Sequence, residues 1–176
     1  MEQSLLAVLS MSKIIPIVIT ILEHQNQYLF IQRKNPPYEG LWSLVGGKVN
    51  VGEHISAAAI REVLEETGTT SVDDYEYRGF VSERLVDTDG NLISQFFIFV
   101  GHATIPNFIQ NNREGNLDLF TLEAIDNNKS VVLPSDFEMF HRFLKMPERT
   151  IVHEVELLRD DKGYRLVYYR ERNNAS

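Results

Sequence analysis

The segment 47–69 limits the possible folds of this chain more than any other, and it reads GKVNVGEHISAAAIREVLEETGT. It begins as a glycine-containing loop and continues as an acidic stretch with regularly spaced apolar residues. Serine is a preferred first cap of a helix and glycine a preferred stop, so a helix is predicted from about Ser56 to Thr67, ended by Gly68. The chain is therefore expected to fold around one amphipathic helix that follows a glycine turn.

The predicted helix has an acidic face and an apolar face. An α-helix advances about 100° per residue, so Glu62, Glu65 and Glu66 share one side, which we expect to face solvent. The opposite side is expected to pack on a core. Its residues are Ile60, Val63, Leu64 and Thr67.

The acidic face has two interpretations. Glutamate forms helices well, and a glutamate-rich face is commonly just a solvated surface. Like charges on adjacent turns repel one another, however, and a hard divalent cation with carboxylate ligands would turn that repulsion into binding. The glycine loop, Glu53 and the Arg61–Glu62 pair stand at fixed spacings from this face and favour the metal site.

With these residues the segment resembles the Nudix box of the MutT-type pyrophosphohydrolases. The box is a glycine, five residues, a glutamate, seven residues, and then Arg-Glu-aliphatic-any-Glu-Glu-any-Gly-aliphatic. Only Thr69 departs from it, where an aliphatic residue is usual. The resemblance implies an α/β fold, the Nudix α/β/α sandwich around a mixed β-sheet, over about residues 14–144. The matching residues are Gly47, Glu53, Arg61, Glu62, Val63, Glu65, Glu66 and Gly68.

The resemblance also implies a metal site. In the family the carboxylates of the Arg-Glu-x-x-Glu-Glu run bind the metal, which corresponds here to Glu62, Glu65 and Glu66. The carbonyl of the glycine before the box, matched by Gly46, is a further ligand in the family. The implied cofactor is Mg²⁺, with Mn²⁺ as an alternative.

Three more residues receive roles through the resemblance. Glu53 matches a glutamate that lies near the metal cluster, and Arg61 is expected to orient a neighbouring carboxylate. Some members use a glutamate outside the box as metal ligand or base, and Glu114 is the candidate here. An ordinary loop acid is an equally good explanation of Glu114.

Two basic residues are candidates for contacts to substrate phosphates. Lys48 lies within the box loop itself. Arg33, followed by Lys34, ends a predicted strand that faces this loop, although a solvated strand end would have the same sequence.

Composition restricts the function classes. The net charge is −8, which argues against binding polymeric nucleic acid through clustered basic residues. The chain has no cysteine, so it has no disulfide or thiolate chemistry, and a cytoplasmic location is the simplest expectation. The apolar runs near the N-terminus are too short for a membrane span, so no membrane partner is expected.

The predicted elements suggest a single domain over residues 1–176. Residues 1–11 are expected to form a loose leader, and strands alternate with turns on either side of the box helix. A second helix is predicted near residue 135, where Ser135 and Glu138 have the spacing of a capping box. Residues 148–170 predict a C-terminal hairpin that the Nudix fold does not need. This hairpin could extend the sheet or form a homodimer contact.

The most direct functional hypothesis is a Mg²⁺-dependent hydrolase of a diphosphate linkage in a small nucleotide, a nucleoside triphosphate first and an ADP-ribose-like compound second. The alternative is a catalytically silent Nudix module for ligand sensing or protein interaction, which the intact glutamates disfavour. The isomerase branch of the superfamily, known for a catalytic cysteine, is set aside because the chain has none.

Overall fold

The computed structural model describes residues 13–36, 38–111, 113–147 and 152–171. The expected leader, residues 1–11, lies outside this range, as do the first residues of the expected C-terminal hairpin, 148–151. No helix in the described ranges is long and apolar enough to cross a membrane.

The described residues form one nine-stranded sheet and three α-helices. A 3₁₀ turn at 129–131 precedes the last helix. The helices are α1 (Ile55–Thr67), α2 (Leu122–Asn127) and α3 (Pro134–Phe143). The strands are β1 (Ile14–His24), β2 (Gln27–Arg33), β3 (Trp42–Ser43), β4 (Val45–Lys48), β5 (Asp73–Val86), β6 (Leu92–Thr104), β7 (Gly115–Phe120), β8 (Val152–Asp160) and β9 (Gly163–Glu171).

The sheet is mixed, as expected. Its strand order is β3-β2-β1-β6-β5-β8-β9, with β4 paired to β1 and β7 paired to β2. The pairs β1–β6 and β5–β8 are parallel, and the other pairs are antiparallel. The predicted C-terminal hairpin is present as β8 and β9, and it extends the sheet beyond β5.

Helices cover both faces of the sheet, which confirms the predicted α/β/α sandwich. Alternate residues of a strand point to opposite faces, and β1 shows this directly. Val18 is buried in a cluster with Ala59 of α1, whereas Ile19 and Ile21 are buried in a cluster with Phe140 of α3.

The ends of α1 agree with the prediction only in part. Gly68 ends the helix in the left-handed conformation, with φ of 65°, and its N–H donates to the carbonyl of Leu64 at 3.0 Å. The N-terminus differs, because the helix begins at Ile55 and the capping residue is His54. No side-chain hydrogen bond caps this end, so Ser56 is not the cap.

The predicted faces of α1 need two corrections. Val63 and Thr67 are fully buried as expected, but Leu64 is 39% exposed. Glu66, expected on the solvent side, is only 7% exposed. Helical spacing alone could not show that β4 lies against the Glu66 side of α1 and covers its carboxylate.

The expected capping box at α3 is also wrong. The helix begins at Pro134 with Leu133 as its N-cap, two residues before the predicted cap, and no side chain caps it. Proline is favoured at the first helical position because it has no N–H to leave unpaired. Ser135 is therefore inside the helix and fully buried.

Candidate active site

The end of α1 and strand β4 meet at Glu66. Its Oε2 accepts a hydrogen bond of 2.9 Å from the backbone N–H of Gly46. Burial raises the pKa of Glu66 to about 8, and the negative charges of Glu62 and Glu114 raise it further, while the Gly46 hydrogen bond and Arg33 act in the opposite direction. Glu66 is thus a buried carboxyl group whose surroundings favour its protonated form.

Glu62 lies over the second glycine of β4. A Cβ atom on Gly47 would sit 2.5 Å from the Glu62 carboxylate, so only glycine leaves room for it. A Cβ atom on Gly46 would collide with the carbonyl oxygen of Val18 in β1. The Glu62 side chain is 14% exposed, whereas that of Glu65 is 60% exposed.

Arg61 connects the box loop to the acidic face. Its Nε and Nη2 donate to the two carboxylate oxygens of Glu53 at 2.8 and 2.9 Å. Its Nη1 donates to Glu62 at 2.7 Å and to Glu65 at 3.2 Å, and Nη2 also reaches the carbonyl of Lys48 at 3.0 Å. The guanidinium group therefore holds three carboxylates and one loop carbonyl together.

This bidentate contact favours the ionised form of Glu53. The hydrogen bonds from Arg61, and one from the backbone N–H of Asn50, lower the pKa of Glu53 to about 2. The same contacts with Glu53 and Glu62 raise the pKa of Arg61. Both carboxylate oxygens of Glu53 are thus bound by Arg61, and this contact connects the box loop to α1.

A cavity of about 630 Å³ opens beside these groups. Seven of the nine residues predicted from the sequence as site residues line it, together with Gly47 and Arg113. Glu53 and Arg61 are not among the lining residues. Arg61 contacts three residues that are, Glu62, Glu65 and Lys48, and Glu53 contacts Arg61. The predicted residues that line it are Arg33, Gly46, Lys48, Glu62, Glu65, Glu66 and Glu114.

The structure places Glu114 at this cavity, and its charge raises the pKa of Glu66. The residue precedes β7, and its backbone carbonyl accepts a hydrogen bond of 3.1 Å from the N–H of Lys34, which follows β2. The pairing of β7 with β2 therefore brings a distant loop acid to the box glutamates.

The acidic residues provide the type of ligand that a hard cation prefers, but their side chains are not arranged around one metal position. Carboxylate oxygens are preferred ligands of Mg²⁺, and a cation would stabilise the buried charge of Glu66. Nevertheless, no three acidic or histidine side chains in the described ranges are arranged to hold one metal ion. Glu62 and Glu65 point to Arg61, and Glu66 points to the Gly46 N–H. Metal binding would require at least the first two to turn.

The cavity also contains polar residues outside the set of predicted site residues. Glu83 of β5 and Asp136 of α3 are 3% and 5% exposed, and Tyr38 and Ser43 line the same space. The Asp136 Oδ2 accepts a hydrogen bond of 2.8 Å from the backbone N–H of Leu44. Burial is the main cause that raises the pKa of Asp136 to about 7.

One of these residues left a signal in the sequence. Val81, Glu83 and Leu85 alternate along β5, and all three are buried on the same face. An acidic residue at an inward position between two aliphatic ones is unusual, because burying a carboxyl group is costly. Strand alternation could therefore have identified Glu83. Asp136 could not be identified in this way, because it lies between Ser135 and Glu138, which were assigned to a helix cap.

Comparison with known proteins agrees with this architecture. The family model described as "NUDIX domain" matches residues 13–143. A MutT protein from Bacillus halodurans superimposes with a TM-score of 0.71 and 25% identity, covering 90% of this chain and 97% of that one.

Two curated relatives match over shorter stretches. An ADP-ribose pyrophosphatase from Methanocaldococcus jannaschii is 48% identical over 48 residues, which are 27% of this chain and 28% of that protein. A candidate 8-oxo-dGTP diphosphatase from Bacillus subtilis is 46% identical over 50 residues, 28% of this chain and 32% of that protein. These matches span about a third of each relative or less. Because the family model covers most of the chain, the chain belongs to the Nudix family.

Proposed function

We propose that this protein is a Mg²⁺-dependent pyrophosphohydrolase that cleaves a diphosphate linkage in a nucleoside diphosphate derivative. The observation that carries the proposal is Glu66, a buried carboxyl group beside Glu62 and Glu114 in a cavity large enough for a small-molecule ligand. Burying a carboxylate is costly unless another group compensates its charge. A bound divalent cation would supply that compensation.

The chain's own residues would divide the work. Glu62, Glu65, Glu66 and the Gly46 carbonyl would hold the metal, which neutralises phosphate charge and activates water when bound. Arg33 and Lys48 line the cavity and would bind the phosphate oxygens. Arg61, which does not line the cavity, would position Glu53 and Glu62 through its hydrogen bonds.

Glu114 would serve as a further metal ligand or as the base. It lines the same cavity and affects Glu66 electrostatically, so its placement supports a role at the reacting end of the substrate. In the reaction the attacking water would give a proton to the base, its oxygen would bond to phosphorus, the bond to the bridging oxygen would break, and the departing phosphate would carry the electron pair.

For the substrate we propose a nucleoside triphosphate first, oxidised forms included, and an ADP-ribose-like compound second. The two curated relatives carry names of both kinds. Manganese could replace magnesium, since both accept oxygen ligands. A single domain, a cytoplasmic location and a homodimer stay predictions.

The test is phosphate release from nucleoside triphosphates, ADP-ribose and dinucleoside polyphosphates, measured with Mg²⁺ and with EDTA. We expect metal-dependent cleavage of one class and its loss in Glu62→Gln. Glu123→Gln, in the first turn of α2, is the matched control because this acid does not line the cavity. No cleavage by a folded protein that still binds Mg²⁺ would contradict the proposal and favour a sensing module.

A further inference from the structure

The cavity continues well beyond the box glutamates. Between β4, which carries Gly46, and β5, which carries Glu83, lie the strands β1 and β6. Three strand spacings amount to roughly 14 Å along the sheet. A ligand whose phosphates lie at the box glutamates would therefore have room for another of its parts near Glu83.

Glu83 is the unexplained group in that region. It is 3% exposed and lines the cavity, and its Oε2 has no hydrogen-bond partner among the described residues. Burial raises the pKa of Glu83 to about 8, and the charge of Asp136 adds to this effect. The hydroxyls of Ser135 and Tyr38 lie near enough to favour the charged form, yet neither has hydrogen-bond geometry.

Two hydroxyl groups beside the cavity are also buried without a hydrogen-bond partner in the described ranges. They are the Tyr38 hydroxyl and the Ser43 Oγ. Buried polar groups are usually paired, so several unpaired ones around one cavity indicate a ligand that pairs them.

The C-terminal hairpin contacts Tyr38 through Tyr164. The rings of Tyr38 and Tyr164, a residue of β9, lie 4.6 Å apart in an edge-to-face arrangement. The Tyr38 backbone N–H also donates to the Tyr164 hydroxyl at 3.5 Å. Tyr38 is thus held in place by a segment outside the matched family domain.

The other walls near Glu83 are apolar. Ile17 and Ile98 pair across β1 and β6, and Phe96 lies directly opposite Glu83 in the β5–β6 pairing. All three line the cavity. Apolar walls that end at a carboxyl group suit an aromatic heterocycle whose edge carries N–H donors.

Hydrogen-bond chemistry narrows the choice of heterocycle. A carboxylate accepts two parallel hydrogen bonds best from two adjacent donors. Among the standard bases only guanine has a ring N–H next to an amino group on one edge, while the pairing edges of adenine and cytosine place an acceptor beside the amino group. Inosine lacks the amino group and has one donor.

We propose that Glu83, with the Tyr38 hydroxyl, forms a specificity subsite that binds the ring N–H and amino group of a guanine-type base. This inference rests on the proposed function, because it assumes that the phosphates lie at the box glutamates. Guanine and its oxidised forms share this edge, so both belong to the class.

The test compares guanosine and inosine nucleotides, which differ by the amino group. Hydrolysis of GTP and ITP is measured for the native protein, Glu83→Gln and Tyr38→Phe, and binding of GDP and IDP is measured by calorimetry. Glu76→Gln is the matched control, because this glutamate lies on β5 outside the cavity. Thermal unfolding establishes that each variant is folded.

We expect the native protein to prefer GTP over ITP by about tenfold or more in kcat/KM, and Glu83→Gln to remove most of that preference. Tyr38→Phe should weaken GDP binding severalfold, and it tests the subsite if Glu83→Gln does not fold. Metal-dependent hydrolysis with equal rates for GTP and ITP would overturn the subsite and leave the proposed function intact. A Glu83-dependent preference for GDP without any hydrolysis would support the subsite and contradict the proposed function.

Discussion

The backbone N–H of Gly46 donates a 2.9 Å hydrogen bond to Oε2 of Glu66 and so joins the last turn of α1 to β4. Strand β4 is in turn held by β1, where Ile19 pairs with Gly46. The buried carboxyl group is therefore fixed by the sheet itself. Burial nevertheless disfavours its charged form and raises the pKa of Glu66 to about 8.

Replacing Glu66 by glutamine should separate activity from stability. The amide oxygen can still accept the Gly46 hydrogen bond, but a neutral group is a poor metal ligand. We expect metal-dependent turnover to fall by about 100-fold or more, with the free energy of unfolding at pH 8 unchanged or higher. Phosphate-release kinetics and urea unfolding measure the two effects, and retained activity would exclude Glu66 as a ligand.

The metal-free protein should become less stable as the pH rises. The folded-state pKa values of Glu66 and Glu83 are about 8, and that of Asp136 is about 7, all above the ordinary values of 4.5 and 3.8. These three carboxyl groups then bind more protons in the folded protein than in the unfolded chain between about pH 4 and 8, so they lower the stability progressively across this range. Urea unfolding in EDTA at several pH values measures the slope.

Two variants identify the source of that slope. Glu66→Gln and Glu83→Gln should each flatten the pH dependence by removing one raised carboxyl group, while Glu76→Gln should leave it unchanged. A native protein whose stability rises between pH 5 and 8 would contradict the assignment.

Binding of Mg²⁺ at pH 7 should release protons. With a pKa of about 8, Glu66 is mostly protonated in the metal-free protein, and a cation favours its ionised form. Calorimetric titration in two buffers with different ionisation enthalpies should reveal release approaching one proton per site. The release should disappear in Glu66→Gln, and an identical heat in both buffers for the native protein would rule it out.

Gly47→Ala should reduce activity by displacing Glu62. The added Cβ would lie 2.5 Å from the Glu62 carboxylate, so that side chain must move away from the site. We expect turnover to fall by about tenfold or more. Gly52→Ala is the control, because its Cβ would meet no atom within 4 Å, although its φ of 83° makes it costly for stability. Equal losses of turnover in the two variants would refute the steric explanation.

The motif and the alternation of strands made much of the fold predictable. The spacing from Gly47 to Gly68 identified the family, and the apolar runs located most strands and the C-terminal hairpin. The helix at 122–127 was not predicted, since six residues show too little periodicity.

The environment of individual side chains was harder to predict from the sequence, because it depends on contacts between distant segments. Glu66 seemed solvent-facing on a helical wheel, but β4 covers it. Ser135 had the spacing of a cap, but Pro134 starts the helix before it. Glu83 and Asp136 share a cavity only because β5 and α3 meet on one side of the sheet.

The contact between Tyr38 and Tyr164 joins the cavity to strands that lie outside the matched family domain. The segment expected to perform the cleavage, residues 47–69, and the strands that contact Tyr38 at the cavity are thus far apart in the sequence. Descendants of this protein could diverge in their choice of substrate by changing the last two strands alone, while inheriting the cleavage machinery intact.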